Sequence, residues 1–403
     1  MLKGKKIVVG ITGGIAAYKS AELVREFIRR GACVKVIMTK NATEFITSLT
    51  LQTLSGNPVF CDIFSPVRES EIHHITLAEY ADIMVIAPAT ANVIGKIASG
   101  IADDLLTTTI MATKAPVLIC PAMNTNMYTN VVVKENIEKL AVRGYLLIEP
   151  AYGELACKSE GTGRLPDVHE IVEEVESILT VKDLKGERIL VTAGPTREPF
   201  DPVRYITNYS SGKMGYALAQ MARRRGAEVT LISGPSSLSV PRGVKFVPIS
   251  SAVEMRDAVM ENLEASTVII KAAAVADYRP VVYSNAKIKK QDGPLTISLE
   301  RNPDIISEVG KKKGKRILVG FAMESENLIE NAKTKMLEKN MDLIIANDLT
   351  KESAGFQTDT NIVKILSRDE KIEELALMDK TEVADRILDR VKEMIARSRN
   401  RVL

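Results

Sequence analysis

Two distant stretches of this chain follow one plan, and that repetition restricts the possible fold more than any other feature. "KKIVVGITGGIAAYKSAELVREFIRRGACVKVIMT" passes from a β-branched segment through a glycine turn into an amphipathic helix ending at Gly31, then into a second strand. "ERILVTAGPT" and "SSGKMGYALAQMARRRGAEVTLISG" repeat that order, with about fifteen residues between strand and helix. Strand, helix and strand in this sequence make a βαβ unit, with parallel strands and a helix on one face of the sheet. The expectation is an α/β protein with two doubly wound, mainly parallel-sheet (Rossmann-like) domains in tandem. Other strand-like runs are "DIMVIAPAT", "PVLICPA" and "YLLIEP", then "VKFVPIS", "TVIIKAAAV", "RILVGFA", "DLIIAND" and "NIVKILS". The polar piece "TVKDLKGE", residues 180–187, separates a helical pattern from a fresh strand, so domains are expected over 1–182 and 187–403.

Charge and composition narrow the function classes. Lys+Arg 54 against Asp+Glu 51 leaves none of the basic excess of a nucleic-acid binder, although local clusters can still hold phosphorylated small molecules. No apolar run approaches the ~18 residues that span a bilayer. The start "MLKGKKIVVG" has no apolar signal core, so a cytoplasmic protein without a membrane partner is expected. Cys33, Cys61, Cys120 and Cys157 are far apart with no C-x-x-C, which suits reduced thiols.

Several short stretches have the chemistry of binding sites. The turn Gly13-Gly14-Ile15 precedes a helix whose first N–H groups and dipole favour an anion. It is not G-x-G-x-x-G, and a ligand-free βα turn fits the same residues. "APATAN" ends a strand in small and hydrogen-bonding residues, where open α/β sheets bind ligands; Thr90 or Asn92 equally suits a helix cap, and Asp103-Asp104 a solvated helix turn. "PAMNTNMY" follows the apolar run "APVLIC", and its Asn124 is a cap or a polar contact. His73 and His74 are adjacent, so they point in different directions and do not form a metal site. Cys157 stands in "LACKSEGTGR", beside Lys158 and a glycine-rich segment.

"GGIAAYK", "HITLA", "APATAN", "PAMNTNM" and "ACKSEGTGR" occur in the order and spacing of the flavin-containing cysteine decarboxylases, which this half resembles, in particular those acting on phosphopantothenoylcysteine. The resemblance implies FMN held by Gly13, Gly14, Ile15, Thr39, Lys40, Asn41, Thr90, Ala91, Asn92, Val93 and Ala122. It makes His74 the catalytic base, Asn124 the carboxylate clamp, Met127 a pocket wall and Cys157 the proton donor, and it assigns nothing to His73, Asn126 or Tyr128. Lys158 stands where the family typically has glycine, and Tyr128 where tryptophan is frequent. The implied chemistry needs a flavin: oxidation of the cysteine thiol to a thioaldehyde lets the electrons released with CO2 settle as an enethiol, which is then reduced with a proton from Cys157.

The second half reads separately. "GPTREPFDPVRYITNYSSGKMG" gathers Arg197, Arg204, Ser210, Ser211, Gly212, Lys213 and Gly215 at the mouth of a βα unit, as phosphate binding requires. It lacks the Walker A spacing, and a long structural loop fits it too. Asp277 ends a strand ahead of Lys287, Lys289 and Lys290, a run that reads first as solvated. Lys335 and Lys339 stand at i and i+4 on one helical pattern. With "ERNPDII", "VGFAMES" and "GFQTDTN", these stretches resemble the phosphopantothenate–cysteine ligase domain over nearly all of 187–370. That family implies an acyl-cytidylate made from 4′-phosphopantothenate and CTP with Mg2+, then cysteine displacing CMP. Asn208 would contact the acyl-nucleotide, Lys287 would assist activation, and Asp277 would read base or ribose. Ala273, Pro303, Asp304, Ile305, Ile306 and Phe321 would line the nucleotide site, with Lys335 and Lys339 at phosphates. Fusion of the halves implies a bifunctional enzyme of coenzyme A biosynthesis that ligates and then decarboxylates, as a homo-oligomer. The alternatives are a non-catalytic flavin-binding regulator and a decarboxylase of peptidyl cysteine.

Overall fold

The computed structural model describes residues 2–64, 72–155, 158, 160–290, 293–324, 328–348, 358–369 and 371–400. Met1–Thr180 and Val181–Leu403 are two compact units.

The first unit opens β1 (Lys6–Ile11), α1 (Lys19–Arg29), β2 (Cys33–Met38), α2 (Ser48–Ser55) and β3 (Val59–Phe60). It continues with α3 (His73–Tyr80), β4 (Ile83–Ala89), α4 (Ala91–Ser99), α5 (Leu105–Ala112) and β5 (Val117–Pro121). Then come α6 (Thr125–Thr129), α7 (Val131–Val142), β6 (Leu146–Leu147), the ribbon β7 (Ala151–Glu154) and β8 (Glu160–Arg164), and α8 (Val168–Leu179). Six parallel strands lie in the order β3-β2-β1-β4-β5-β6. Side chains alternate across the sheet. Ile7, Val9 and Ile11 meet Leu23, Phe27, Leu51, Ile171 and Val175 from α1, α2 and α8 on one face. Val8, Ile37 and Ile86 meet Ile94, Ile97, Leu106 and Leu140 from α4, α5 and α7 on the other. Each such fully buried Leu, Ile or Phe contributes about 1.5–3 kcal/mol, so the two-sided apolar pattern is what holds the helices in place.

The second unit runs β9 (Arg188–Ala193), the hairpin β10 (Arg197–Pro199) and β11 (Tyr205–Thr207), α9 (Lys213–Arg224), β12 (Glu228–Ser233), β13 (Lys245–Pro248), α10 (Ala252–Leu263) and β14 (Val268–Lys271). After the ribbon β15 (Tyr278–Pro280) and β16 (Leu299–Arg301) come α11 (Ile305–Lys312), β17 (Ile317–Glu324), α12 (Leu328–Glu338) and β18 (Leu343–Asp348). β19 (Thr360–Asn361), β20 (Val363–Ser367), β21 (Ile372–Glu374), β22 (Met378–Asp379) and α13 (Lys380–Asn400) complete it. The main sheet, β13-β12-β9-β14-β17-β18-β20-β21, repeats the first unit's order and adds two antiparallel strands at one edge.

Two expected strands are cut short, for backbone reasons. "TVIIKAAAV" leaves the sheet after Lys271 because its alanine backbone bonds elsewhere: Ala273 N–H to Thr192 Oγ1 (3.2 Å), Ala274 N–H to Gly194 O (2.9 Å) and Ala276 N–H to Thr196 Oγ1 (3.0 Å). "YLLIEP" pairs only through Leu146 and Leu147 at the sheet edge. The stretch expected as a long gap between β9 and α9 contains the β10–β11 hairpin.

α13 is tied back to the end of α9 by Arg225, whose side chain is 4% exposed and pairs with Asp183 (2.9 Å), Asp385 (2.9 Å) and Asp389 (2.8 Å). Breaking a buried pair by removing one partner costs about 3–5 kcal/mol. Asp385 and Asp389 keep access to water, so Arg225→Ala should destabilise the second unit by about 3 kcal/mol, the low end of that range. Urea denaturation of the intact protein measures this, and a loss within experimental error would show the cluster to be only a surface feature.

Candidate active sites

In the first unit the strand order reverses between β1 and β4, so the helices that follow these strands leave for opposite faces. A cavity of about 1040 Å3 opens there. Gly13, Gly14, Ile15, Thr39, Lys40, Asn41, Thr90, Ala91, Asn92, Val93 and Ala122 all line it, together with Asn124 and Met127. They come from the ends of β1, β2, β4 and β5, and hydrogen bonds fix those ends. Thr12 Oγ1 donates to Pro88 O (2.8 Å) and accepts from Thr90 N–H (3.0 Å), and Ala122 N–H donates to Ala89 O (3.0 Å).

Three features of this cavity suit a phosphorylated cofactor. Thr90 occupies the N-cap position of α4 without a side-chain cap bond, so the first N–H groups of that helix are not satisfied by it. Thr39 Oγ1 is buried with no hydrogen-bond partner among the described residues. A Cβ on Gly13 would stand 2.4 Å from Asn41 Cβ, so glycine lets the β1 turn close against the β2 turn. Lys96 also lines the cavity, paired with Asp103 (2.7 Å) and Asp104 (3.3 Å), while Asp104 caps α5. Sequence reasoning passed over Lys96, although it stands at i+4 from Asn92 and so shares its helix face.

Asn124 combines the two roles its stretch left open. It is the N-cap of α6, its Oδ1 accepting from Asn126 N–H (2.9 Å), and it lines the cavity. Its oxygen is thus engaged by backbone, and the donor side of the amide is its NH2 group. The β7–β8 ribbon packs over this loop. Met123 N–H donates to Gly163 O (2.9 Å), and a Cβ on Gly163 would lie 2.1 Å from Met123 O, so no larger residue fits. Arg164 and Glu154 of the same ribbon reach the cavity. Met127 is 47% exposed, and Lys134 Nζ lies 3.9 Å from the centroid of the Tyr128 ring.

The proposed base and acid do not both join this group. His74 is half-buried in the first turn of α3 and is not among the described residues lining the cavity. His73 packs its ring on Phe60 (5.3 Å between centroids). Cys157 lies outside the described residues. Lys158 has φ 63°, a left-handed conformation that costs a non-glycine residue about 1–2 kcal/mol and that glycine would adopt freely. Cys33, Cys61 and Cys120 are unpaired, and burial pushes the Cys120 thiol far above its ordinary value, so it is a packing residue.

The second unit has the corresponding reversal between β9 and β14. Asn208 Nδ2 donates to Val275 O (3.0 Å), joining the end of the hairpin to the segment after β14. Gly212, with φ 80°, is the N-cap of α9 and makes no side-chain cap bond. Lys213 pairs with Asp359 (2.7 Å), and that lysine holds the Asp359 carboxyl below the usual range. Asp304 caps α11 through Ser307 N–H (3.1 Å) and pairs with Lys339 (3.0 Å). Ile305 and Ile306 are buried beneath it, and Phe321 packs half-buried on the core. α12 ends at Glu338, and Lys339 N–H still bonds Lys335 O (3.0 Å), so the two lysines stand one turn apart across the helix end.

Lys271, at the tip of β14, was missed. Burial foremost, with Lys339 adding to it against the opposing Asp304 and Asp277, lowers its ammonium to about 8. The apolar run before it concealed it, since one lysine closing a strand reads as solvent-facing. Asp277 and Lys287 are exposed on the connection from β14 toward β16.

Comparison with known proteins agrees with this division. Residues 1–180 match the family described as Flavoprotein, and residues 184–395 the family described as DNA/pantothenate metabolism flavoprotein C-terminal domain. The Coenzyme A biosynthesis bifunctional protein CoaBC of Bacillus subtilis (strain 168) is 48% identical over 395 residues, 97% of each chain. That of Escherichia coli (strain K12) is 48% identical over 373 residues, 91% of this chain and 92% of its own. A crystal structure of the C-terminal domain of such a protein is 44% identical, covers 53% of this chain and 98% of its own, and has a TM-score of 0.47. The chain therefore belongs to the family of bifunctional coenzyme A biosynthesis proteins, enzymes with phosphopantothenoylcysteine decarboxylase and phosphopantothenate–cysteine ligase activities.

Proposed function

We propose that the first unit binds FMN in its 1040 Å3 cavity and decarboxylates 4′-phosphopantothenoylcysteine there, and that the second makes this compound from 4′-phosphopantothenate, cysteine and CTP. The observation that carries the first assignment is the convergence of four strand ends, an uncapped helix start and an unpartnered Thr39 hydroxyl on one cavity. FMN bound there supplies reversible hydride transfer with the carbon that bears the substrate's thiol. The Asn124 NH2 group orients the carboxylate with neutral donors, which hold it without the strong ground-state trapping of a guanidinium. Cys157 gives the final proton, and His74 acts as base. Because His74 lies outside the lining of its own chain's cavity, a homo-oligomer in which it serves a neighbouring copy suits the geometry best. Three unpaired thiols favour a cytoplasmic setting.

In the second unit Asn208, which bonds Val275 O, would hold the nucleotide with Ala273, Asp277 and the start of α11, and Lys271, Lys335 and Lys339 would supply positive charge suited to a triphosphate. Mg2+ would arrive with CTP, held largely by phosphate oxygens and water. Lys287 assists activation, and Ser210, Ser211, Gly212 and Lys213 face phosphate at the start of α9.

Gly13→Ala should lose most of the bound flavin, because its methyl group has no room beside Asn41, while ligation continues. The flavin-to-protein absorbance ratio reports this, and an unchanged ratio would place the cofactor elsewhere. Cys157→Ser should slow the final reduction by about 10²–10⁴-fold and leave an unsaturated thiol product detectable by mass spectrometry; ordinary 4′-phosphopantetheine at the normal rate would remove the proton donor. Lys287→Gln should abolish phosphopantothenate-dependent CMP release without altering decarboxylation of supplied substrate, whereas joint loss of both activities would contradict separate sites.

A further inference from the structure

The stretch that carries Lys287 has no regular secondary structure, so something else must fix its position. Its neighbour Ile288 is held on both backbone groups by one ion pair. Ile288 N–H donates to Asp201 Oδ2 (3.2 Å), and Ile288 O accepts from Arg204 Nη2 (2.9 Å). The Asp201 side chain has no solvent exposure. Its Oδ1 also accepts from the backbone N–H of Val203 (2.9 Å) and Arg204 (2.7 Å), and its Oδ2 from Arg204 Nε (3.0 Å) and Nη2. These donors, with Arg204 foremost, keep the carboxyl well below the usual range. A second tie, Ser284 N–H to Phe200 O (3.0 Å), joins the same two segments. Lys287 itself makes no side-chain hydrogen bond among the described residues.

We propose that Asp201 is a positioning residue of the ligase: with Arg204 it clamps Ile288 to the β10–β11 hairpin, and so presents Lys287 to the carboxylate being activated. The inference rests on the activation role given to Lys287. An ionised carboxylate is required, because both its oxygens accept and no donor is tolerated. In Asp201→Asn, an NH2 group at either oxygen position faces N–H donors, and the natural place for it, at Oδ2, turns a donor toward Ile288 N–H and Arg204. The hairpin turn keeps its Oδ1 bonds while the Lys287 segment loses its tie through Ile288 N–H and the partner that orients the Arg204 fork.

The test uses the intact, FMN-loaded protein and follows steady-state pyrophosphate release from CTP and 4′-phosphopantothenate with saturating cysteine, which discharges the acyl-cytidylate, for Asp201→Asn, Lys287→Gln and the double variant. Misplacing a catalytic group by about 1 Å can cost about 10²-fold. Asp201→Asn is therefore expected to lower kcat by about that factor, leaving the KM for CTP and the decarboxylation of supplied phosphopantothenoylcysteine unchanged. Since Asp201 acts through Lys287, the double variant should equal Lys287→Gln within about twofold, the usual tolerance of additivity tests. Arg204→Lys, which keeps the charge but not the fork, should show the same split between kcat and KM and covers the case in which Asp201→Asn does not fold. Full kcat in a folded Asp201→Asn protein, or losses that multiply in the double variant, would overturn the proposal. If Lys287→Gln itself releases pyrophosphate normally, the role of Lys287 fails first, and the proposal with it.

Discussion

The candidate sites of this protein depend on where its parallel sheets reverse their strand order. A strand leading by a right-handed crossover to a parallel neighbour must place its helix on one face, so strands built outward in both directions from β1, or from β9, send their helices to opposite faces. At the reversal no helix covers the carboxyl ends, and a crevice is left over a rigid edge. In the first unit that crevice is the 1040 Å3 cavity. The apolar layers on both faces of the sheet hold its walls still, so the short turns that line it can give up hydrogen-bonding capacity to a ligand.

The turns themselves are arranged by close backbone approach. Gly13 lets the end of β1 meet Asn41, and Gly163 lets the β7–β8 ribbon lie on Met123. Asn124 thereby stands between a helix it caps and a ribbon that packs over its loop, which limits the amide to few orientations.

The ligase half relies more on charge. Arg225 fastens α13, Asp201 and Arg204 secure the approach to Lys287, and Lys271 sits partly desolvated at the head of β14 with Asp304, Asp277 and Lys339 around it. These groups differ in exposure, and their roles differ with it. Arg225 is almost fully buried and structural, whereas Lys287 and Asp277 are exposed on a segment whose geometry is imposed by its neighbours.

Local sequence determined the elements and their order. β-branched runs, glycine turns and amphipathic periods depend on contacts within a few residues, so β1, α1, β2 and their counterparts β9, α9 and β12 are legible without a structure. So is the division near residue 180, and so are the stretches "APATAN" and "PAMNTNMY" as strand ends with chemistry. Tertiary structure decided the rest, because the deciding partners lie far along the chain. Residues 13, 41, 90 and 124 become neighbours only when the sheet forms. The alanines after Lys271 leave the sheet because Thr192, Gly194 and Thr196 offer their backbone other bonds. Edge strands β20 and β21 are added by antiparallel pairing, which no hydrophobic period reveals. The buried charges are the extreme case: an aspartate in "FDPVR" reads as a turn residue, and only the fold brings Ile288, 87 positions away, to a carboxylate that Arg204 already pairs with.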